Sequence, residues 1–381
     1  MKRLLILGAT GSIGQNALAV ARAHPSRFQI AGLAAAKDVE NLTSAAAEFD
    51  CPAVAITDST RADELRERLR GRDCRIFGGA EAAIELAREC GADVCVAAIP
   101  GTAGLAPAFA AVDAGMDVCL AAKEALVAAG ALLLAKAREK NIRLLPVDSE
   151  HAALHQCLRG RETADVRRLV LTASGGPFRG WSADRLRAAT ADEALRHPVW
   201  RMGRKVSVDS ATLANKALEV IEAHHWFGLP YDRLDVLVHP QSIVHGIVEW
   251  TDGTLLIQAA APDMRTPIQY AMLYPDIGLP LVETPDLARL GALTFEEPDR
   301  AAFPLLDIGL DAGRRGGLHP AVFSAANEAA GEGFLAGRLS FGDMAPLVEK
   351  ALMRVPSGAA DSLDVIADAE REARRAVEEG Y

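Results

Sequence analysis

Three features that would direct a chain to a membrane, to the exterior or to nucleic acid are missing from this sequence. Among its 381 residues, no uninterrupted apolar stretch approaches the ~18 residues expected of a transmembrane helix. The N-terminus enters an apolar strand pattern directly, without the h-region of a signal peptide. A net charge of -10 disfavours binding to nucleic acid or to an anionic membrane surface. We therefore expect a cytoplasmic protein with neither nucleic acid nor a membrane as partner.

Cysteine is scarce, and its spacing indicates no chemistry. The six cysteines form no C-x-x-C pair, which argues against a redox or zinc motif. Most lie inside apolar runs such as 94–96, which is typical of buried free thiols in a reducing compartment. Cys157 is an alternative nucleophile because it closely follows an acidic segment, but no basic partner is spaced to activate it.

A glycine-rich turn stands where the first apolar run ends. The run 3–7 is followed by Gly8, Gly11 and Gly14 in the spacing G-x-x-G-x-x-G, and then by an alanine-rich helical pattern. Glycine lets the backbone approach a ligand closely, and the dipole of the following helix favours an anion. The arrangement predicts a cradle for the pyrophosphate of a dinucleotide, although such turns also occur for conformational reasons alone.

Apolar segments recur through the first 150 residues, with helical patterns between most of them. They lie near residues 28–34, 52–57, 73–77, 93–98, 116–121 and 142–147. Strands that alternate with helices form a largely parallel, doubly wound sheet, so this part is predicted to be a Rossmann domain. Ligands of such sheets bind at the carboxyl ends of the strands.

The pattern changes after residue 148. Strand patterns follow at 168–172, 234–238, 243–250 and 255–259, and the Asp252-Gly253 dipeptide predicts a hairpin between the last two. Beyond about residue 280 the patterns are mostly helical, ending in an amphipathic helix. The predicted class is therefore α/β, with a doubly wound domain at 1–148, a central α+β catalytic domain at 149–279, a linker at 280–298 and a C-terminal helical bundle at 299–381.

Three carboxylates predict a metal site. Asp148 and Glu150 follow an apolar strand as acid-x-acid, and the alternation of strand side chains would aim both to one side. Glu219 belongs to a helical pattern further along the chain. Hard oxygen ligands of this kind suit Mg²⁺ or Mn²⁺. The alternative is that the two acids after the strand only cap the next helix.

Hydroxyl, amide and ammonium groups in the second half predict a site for a phosphate monoester. Ser174 lies in a Ser-Gly-Gly turn, and Ser210 is expected, with Asp209 as the other candidate, to cap the helix that carries Asn215 and Lys216. Asn215 and Glu219, four residues apart, are expected to share a helix face. Taken singly, such a turn is usually only a loop and such a lysine is usually solvated.

The segment 197–205 combines histidine, tryptophan, methionine and basic residues between two helical patterns. This composition suits a lid that closes over a polar substrate and excludes water. The alternative is a connector in which Trp200 fills the core.

Taken together, these motifs resemble one family over essentially the whole chain, 1-deoxy-D-xylulose 5-phosphate reductoisomerase. The resemblance is carried by the glycine turn and by seven further blocks at residues 145–151, 174–179, 197–205, 208–212, 215–219, 239–242 and 262–267.

The resemblance implies an NADPH-dependent homodimer that uses Mg²⁺ or Mn²⁺ and dimerises through the central domain, residues 149–279. Its substrate would be a small phosphosugar, converted to 2-C-methyl-D-erythritol 4-phosphate by metal-assisted skeletal rearrangement and hydride transfer. The implied metal ligands are Asp148, Glu150 and Glu219, which with Lys123 and His197 form the catalytic set. The residues implied to hold substrate are Lys123, Ser149, Glu150, Ser174, His197, Ser210, Asn215, Lys216 and Glu219. Those implied to contact the cofactor are Gly8, Thr10, Gly11, Ser12, Ile13, Gly14 and Gly203.

Departures from the family pattern gather around the cofactor. The chain has Ala36-Lys37-Asp38 where the family reads Gly-Lys-Asn, and Ala122 precedes Lys123 and Glu124 where the family reads Asn. We expect these positions, Ala36, Lys37, Asp38, Ala122 and Glu124, to face the cofactor. An acid after the second strand repels a 2'-phosphate, whereas Lys37 attracts it, and we expect NADPH to be preferred.

Two other classes share parts of this pattern. Another Rossmann-type reductase, acting on a small phosphorylated or semialdehyde substrate, has a similar opening turn; a semialdehyde dehydrogenase would also need an activated cysteine. A non-catalytic dinucleotide sensor would keep the fold but lose metal or phosphate ligands, and all of those are present.

Overall fold

The computed structural model describes residues 1–380, which form two compact units. The first contains Met1–Ala125, Leu133–Ala152 and Met264–Glu283. The second contains Leu126–Leu132, Ala153–Asp263 and the described residues from Thr284 onward. Contacts thus group residues 264–283 with the N-terminal part, while the boundaries predicted at 148, 279 and 298 stay a prediction.

Within residues 1–380, the regular strands end at Ala259 and helices continue to Glu378. The strands are β1 Lys2–Leu7, β2 Phe28–Ala35, β3 Ala53–Ile56, β4 Arg75–Gly78, β5 Val94–Ala97, β6 Asp117–Leu120, β7 Leu144–Pro146, β8 Val166–Ala173, β9 Leu234–Val238, β10 Val244–Trp250 and β11 Leu255–Ala259. The helices are α1 Ser12–Ala23, α2 Val39–Glu48, α3 Ala62–Arg68, α4 Ala82–Glu89, α5 Leu105–Asp113, α6 Lys123–Lys140, α7 Ser149–Leu158, α8 Ala183–Arg187, α9 Ala191–Ala194, α10 Arg204–Ala211, α11 Ala214–Phe227, α12 Arg265–Leu273, α13 Leu287–Leu290, α14 Leu305–Arg315, α15 His319–Leu335, α16 Phe341–Arg354 and α17 Leu363–Glu378.

The first unit is built on a seven-stranded parallel sheet, as predicted. The strand order is β4-β3-β2-β1-β5-β6-β7, so the chain first builds outward from β1 and then restarts beside it at β5. That reversal is a topological switch point, where the loops after β1 and β5 separate and leave a crevice. The sheet therefore predicts a ligand site at the carboxyl ends of β1 and β5.

The core of the first unit explains why its strands read as unbroken apolar runs. Leu4, Leu5 and Ile6 of β1 have no exposed surface, because helices cover both faces of a parallel sheet. Helix α12 contributes Ile268 and Met272 to the same core, so it packs with the first unit although it follows the second unit's sheet in sequence.

The second unit contains a four-stranded mixed sheet of order β11-β10-β8-β9. Strand β10 is antiparallel to both β8 and β11, whereas β8 and β9 are parallel. Gly253, with φ +85°, lies in the tight turn between β10 and β11, which confirms the predicted hairpin. Strand β11 is an edge strand, and it leaves Leu255 and Ile257 about half exposed.

Helices complete the second unit, as predicted for the C-terminal part of the chain. Helix α17 is amphipathic, with Ile366, Ala373 and Val377 buried and its charges outside. Helix α15 is buried on nearly all sides and packs against α16 and α17. No helix in the described part of the chain is both long and apolar enough to cross a bilayer.

The helix start expected at Asp209 or Ser210 is wrong. Both residues lie inside α10, and α11 begins separately at Ala214 after Leu213, which adopts a left-handed conformation with φ +60°. Two short helices joined by a strained residue therefore replace one capped helix. A non-glycine residue with positive φ gives no signal in a hydrophobic pattern, so the pattern missed the break.

Candidate active site

The glycine turn, residues 8–14, lies at the switch point of the first unit's sheet. A Cβ on Gly8, whose φ is +83°, would be 2.6 Å from the carbonyl oxygen of Ala98, just beyond β5. A Cβ on Gly14 would be 2.3 Å from the carbonyl oxygen of Gly8. Both positions therefore require glycine, because the backbone segments approach too closely for any side chain.

Helix α1 begins at this turn without a side-chain cap. Its N-cap residue, Gly11, offers no side chain, so the first amides of the helix keep their capacity to bind an anion. Ser12 is exposed, and Thr10 and Ile13 are half-buried, so each is accessible beside the turn. The backbone thus forms a cradle suited to a dinucleotide pyrophosphate.

Three of the predicted cofactor positions follow β2. Ala36 and Lys37 are exposed, whereas Asp38 is the N-cap of α2 and accepts hydrogen bonds from the Asn41 backbone N–H at 3.1 Å and from Asn41 Nδ2 at 2.7 Å. The Asp38 carboxylate is therefore engaged by its own helix. This capping role removes part of the reason to assign Asp38 to a ribose hydroxyl.

The remaining cofactor positions lie at two other helix starts. Ala122 is the buried N-cap residue of α6, and Glu124 is buried in the first turn of that helix. Gly203 is the N-cap residue of α10 in the second unit, with open space where a Cβ would be.

Asp148 lies at the start of α7, where it has three partners in the first unit. It is ion-paired with Lys123, its Oδ1 is 3.2 Å from Nδ1 of the buried His151, and the same oxygen accepts the Glu150 backbone N–H at 3.2 Å. Burial alone would raise the pKa of the Asp148 carboxyl, but Lys123 and His151 outweigh it and hold the pKa well below its ordinary value. Asp148 is therefore ionised and can serve as a ligand of a metal cation.

The expectation that strand alternation aims Asp148 and Glu150 to one side is wrong. Strand β7 ends at Pro146, and Glu150 belongs to the first turn of α7, where it hydrogen-bonds Ser149. The helix, and not the strand, therefore orients the second acid. The capping alternative is correct for Asp148, yet capping occupies one lone pair only and leaves the carboxylate able to bind a metal ion.

Helix α11 holds Asn215, Lys216 and Glu219 as one hydrogen-bonded group. The Glu219 carboxylate accepts hydrogen bonds from Asn215 Nδ2 and from the Lys216 ammonium, which also donates to the carbonyl of Thr172. The predicted shared face of Asn215 and Glu219 is confirmed. Lys216 is only 3% exposed, so the view of it as a solvated lysine is wrong.

Ser174 and His197 form the second polar contact of this unit. His197 Nδ1 accepts the backbone N–H groups of Val199 and Trp200, at 3.2 and 2.8 Å, so the neutral ring carries its proton on Nε2. Nε2 then donates to Ser174 Oγ at 2.8 Å, and Oγ also accepts the Gly176 N–H at 3.1 Å. Burial lowers the pKa of His197 to about 4, which keeps the ring neutral.

This arrangement leaves the Ser174 hydroxyl proton free to be donated to a ligand. Gly176, with φ +68°, brings the same turn against α10, since a Cβ there would be 2.6 Å from the Ser210 carbonyl oxygen. Between residues 207 and 223, Ser210 and Asn215 are the two half-exposed positions in an otherwise buried stretch. We call the group Ser174, His197, Ser210, Asn215 and Lys216 the polar cluster.

The segment between α9 and α10, residues 195–203, is a loop as predicted. Trp200 and Met202 are half-buried and not part of the core. The Trp200 ring lies 6.0 Å from the His245 ring, centroid to centroid. The alternative of a core-filling Trp200 is not supported, while the mobility of the lid stays a prediction.

Two residues beside the site were missed from the sequence. His151 contacts Asp148. The i,i+3 spacing of the two residues at a helix start is the feature of the sequence that indicates this contact. Asn327 of α15 hydrogen-bonds Asp209, and no local pattern could have paired residues 118 positions apart.

All six cysteines are free, as predicted. Burial raises the pKa of Cys157, and it raises that of Cys51 and Cys119 to about 12. A raised pKa removes the thiolate that a cysteine-dependent semialdehyde dehydrogenase would need.

A parallel sheet with a glycine turn at its switch point, joined to a unit rich in buried ionic and hydroxyl groups, is the architecture of a nucleotide-dependent oxidoreductase. Sequence comparison identifies which one. Three family models match: 1-deoxy-D-xylulose 5-phosphate reductoisomerase at residues 4–130, its C-terminal domain at 144–227, and the DXP reductoisomerase C-terminal domain at 259–376. The chain belongs to the 1-deoxy-D-xylulose 5-phosphate reductoisomerase family.

Individual members of this family match the chain over nearly its full length. The reductoisomerase of Chlorobium limicola is 46% identical over 379 residues, covering 100% of this chain and 99% of the relative. That of Ralstonia nicotianae is 48% identical over 389 residues, covering 99% and 98%. The Zymomonas mobilis enzyme, solved with NADPH, gives a TM-score of 0.93 at 40% identity, covering 99% and 98%. A DOX-P reductoisomerase solved with NADPH, fosmidomycin and magnesium gives 0.95 at 38%, covering 100% and 98%.

Proposed function

We propose that this protein is an NADPH-dependent, divalent-metal-dependent reductoisomerase that converts 1-deoxy-D-xylulose 5-phosphate to 2-C-methyl-D-erythritol 4-phosphate. Family membership supports the reaction, and one observation in this chain carries the assignment of the substrate's phosphate. The Ser174 hydroxyl accepts two hydrogen bonds within the protein and keeps its own proton for an acceptor outside.

The polar cluster supplies donors of the kind that a phosphate monoester needs. Ser174 and Ser210 offer hydroxyl groups at half-exposed positions, and Lys216 offers a buried positive charge. The Oδ1 atom of Asn215 is buried without a hydrogen-bond partner, so it is available to a hydroxyl group of the sugar. His197 fixes the orientation of Ser174 and, being neutral, adds no charge.

Asp148, Glu150 and Glu219 would hold Mg²⁺ or Mn²⁺. Their carboxylates are the hard oxygen donors that these ions prefer, and a low pKa keeps Asp148 ionised. Each unit already balances its acid with a lysine, Lys123 for Asp148 and Lys216 for Glu219. With an ion bound, the two acids would no longer need the lysines as counter-charges. Lys123 and Lys216 could then bind the substrate, which is the role proposed for them. Ser149, whose hydroxyl donates a hydrogen bond to the Glu150 carboxylate, would contact the substrate beside the ion.

The glycine turn would hold the pyrophosphate of NADPH, with Gly8, Thr10, Gly11, Ser12, Ile13 and Gly14 around it. Lys37 is exposed after β2 and would pair with the 2'-phosphate, since Asp38 is occupied as a helix cap. Ala36, Ala122, Glu124 and Gly203 complete the proposed cofactor set.

When bound, the metal ion stabilises negative charge on substrate oxygens and the nicotinamide supplies hydride. The protein's own residues would bind, orient and shield. The polar cluster fixes the phosphate end, which converts phosphate binding into positioning of the reacting carbons. The loop carrying Trp200 and Met202 would close and exclude water from the reactive intermediate.

We also propose that the enzyme acts as a homodimer in the cytoplasm. The exposed Leu255 and Ile257 on the edge strand β11 support self-association, because an apolar sheet edge is a surface that proteins normally cover.

The deciding experiment is oxidation of NADPH by the metal-free protein with 1-deoxy-D-xylulose 5-phosphate, before and after addition of Mg²⁺ or Mn²⁺, with NADH in parallel. We expect activity only with metal, greater efficiency with NADPH, and 2-C-methyl-D-erythritol 4-phosphate as the product by mass spectrometry. A folded, metal-loaded protein that consumes no NADPH with this substrate would refute the proposed function.

A further inference from the structure

A buried polar chain connects α10 to the C-terminal helices within the second unit. Lys205 Nζ lies 2.9 Å from Asp209 Oδ2, and Asn327 Nδ2 donates to Asp209 Oδ1 at 2.7 Å. Asp209 is 2% exposed and Asn327 of α15 has no exposed surface. A carboxylate this deeply buried is costly unless it is paired, so both oxygens need their donors.

Helix α10 depends on such contacts for its position. It has eight residues, too few for a helix to be stable alone. Val208 packs towards α15, where a Cβ on Gly331 would be 3.7 Å from its Cγ1. The bond from Asn327 to Asp209 is charge-assisted and directional, so it fixes the rotation and depth of α10 more tightly than apolar packing does.

We propose that Asn327 is a positioning residue for the substrate's phosphate, acting through Asp209 on Ser210. The inference deepens the proposed function and rests on it. Ser210 follows Asp209 directly, and its carbonyl is held against Gly176 in the turn that carries Ser174. The chain then passes through the strained Leu213 into Asn215 and Lys216. A shift of α10 therefore displaces Ser210 relative to the other donors of the polar cluster.

The same helix provides a matched control. Ser324 is 1% exposed on α15, one turn before Asn327, and its Oγ has no hydrogen-bond partner. Ser324→Ala removes a buried hydroxyl of α15 that makes no hydrogen bond to α10. Asn327→Leu removes the donor at nearly constant volume, and Asn327→Asp places a second carboxylate against Asp209.

The test is steady-state kinetics of these variants in the metal-loaded enzyme, with the KM for 1-deoxy-D-xylulose 5-phosphate and the KM for NADPH measured separately. We expect Asn327→Leu to raise the KM for the phosphosugar about tenfold or more, the ratio that loss of one charge-assisted hydrogen bond supports. The KM for NADPH should rise by a clearly smaller factor, because α10 carries only one residue of the proposed cofactor set, Gly203 at its N-cap. Ser324→Ala should match the parent in both KM values. Asp209→Asn combined with Asn327→Asp restores a donor opposite an acceptor and should recover part of the loss shown by Asn327→Asp alone.

An unchanged phosphosugar KM in folded Asn327→Leu would overturn the inference, and so would an equal rise in both KM values, which would mark a general loss of structure. A parent protein with no turnover would refute the proposed function instead. Calorimetric titration of parent and Asn327→Leu with inorganic phosphate would then still decide the positioning role, since equal affinities would contradict it.

Discussion

The glycine turn and the polar cluster are both suited to bind phosphate groups, but the turn does so with backbone groups and the cluster with side chains. The turn uses backbone amides and close approach, and its requirement is the absence of side chains at Gly8 and Gly14. The polar cluster uses side chains that are already held by hydrogen bonds, His197 to Ser174 within the cluster and Asn215 to the neighbouring Glu219. The first site is a local motif, whereas the second exists only after distant segments have folded together.

The difference also affects how each site can fail. A backbone cradle fails when a side chain is added, because the strand and helix that form it must move apart. A side-chain cluster fails when a partner is removed, because the remaining polar groups lose orientation or stay buried without a bond. Substitutions can therefore separate the two sites.

The largest effect is expected for Glu219→Gln. Loss of one carboxylate charge should weaken Mn²⁺ binding and lower kcat/KM by about 100-fold or more. The buried Lys216 would also lose its counter-charge, so the metal-free variant should be less stable than the parent. Thermal unfolding with and without Mn²⁺ is the measurement, since a bound ion raises Tm by mass action.

The control for this substitution is Glu249→Gln, which removes an acid paired with Arg168 on the second unit's sheet. It should keep the full Mn²⁺-dependent increase in Tm. If Glu219→Gln shows the same increase as the parent, Glu219 is not a metal ligand.

A smaller effect is expected when Trp200 is replaced by alanine. As part of a lid, it should affect turnover by up to about 100-fold through misplaced substrate while stability changes little. Trp250, which is 5% exposed in β10, is the contrasting core residue, and Trp250→Ala should cost about 3 kcal/mol or more of stability. Chemical denaturation of both variants compares them. A loss in Trp200→Ala as large as that in Trp250→Ala would mean that Trp200 belongs to the core.

An effect of about tenfold is expected for Lys37→Ala, the size of one lost charge-assisted contact. The KM for NADPH should rise by this factor, while the KM for NADH should hardly change. Asp38→Asn keeps a good capping residue at α2 and removes the repelling charge, so it should improve the use of NADPH. Better efficiency with NADH than with NADPH in the unmodified protein would show that Asp38 contacts a ribose hydroxyl.

The smallest expected effect is on the pH dependence of stability. The His197 ring in the unfolded chain binds a proton below its ordinary pKa of 6.5, but in the folded protein only below about 4. The unfolded state therefore holds more protons between these values, and stability falls as the pH drops from 6.5 to 4. His197→Gln should make this decline shallower. His225, whose pKa burial also lowers to about 4, provides a comparison outside the polar cluster, and His225→Gln should act alike. An unchanged slope in His197→Gln would contradict the assigned neutral ring.

The sequence predicted much of the first unit and only part of the second. The inner strands of the first sheet, such as β1, β2 and β5, were visible because a parallel sheet buried on both faces makes unbroken apolar runs. The glycine turn was visible because a tight approach needs glycine. The break between α10 and α11 was not, since it depends on the left-handed Leu213. The bond from Asn327 to Asp209 joins residues 118 positions apart, which no short window contains. Lys216 and His197 bond near neighbours in sequence, but their contacts with Thr172 and Ser174 are tertiary and could not be predicted from the local pattern.

The most direct test of the comparison is to measure two affinities in two variants, Gly14→Ala and Ser174→Ala. NADPH affinity can be followed by fluorescence titration of the metal-loaded protein, and the phosphosugar by its KM. The added Cβ in Gly14→Ala should abolish NADPH binding, because it would lie 2.3 Å from the Gly8 carbonyl oxygen. Ser174→Ala should raise the phosphosugar KM about tenfold and leave NADPH affinity unchanged. If Ser174→Ala weakened NADPH binding as much as the phosphosugar, or if Gly14→Ala bound NADPH normally, the glycine turn and the polar cluster would not be separate phosphate sites.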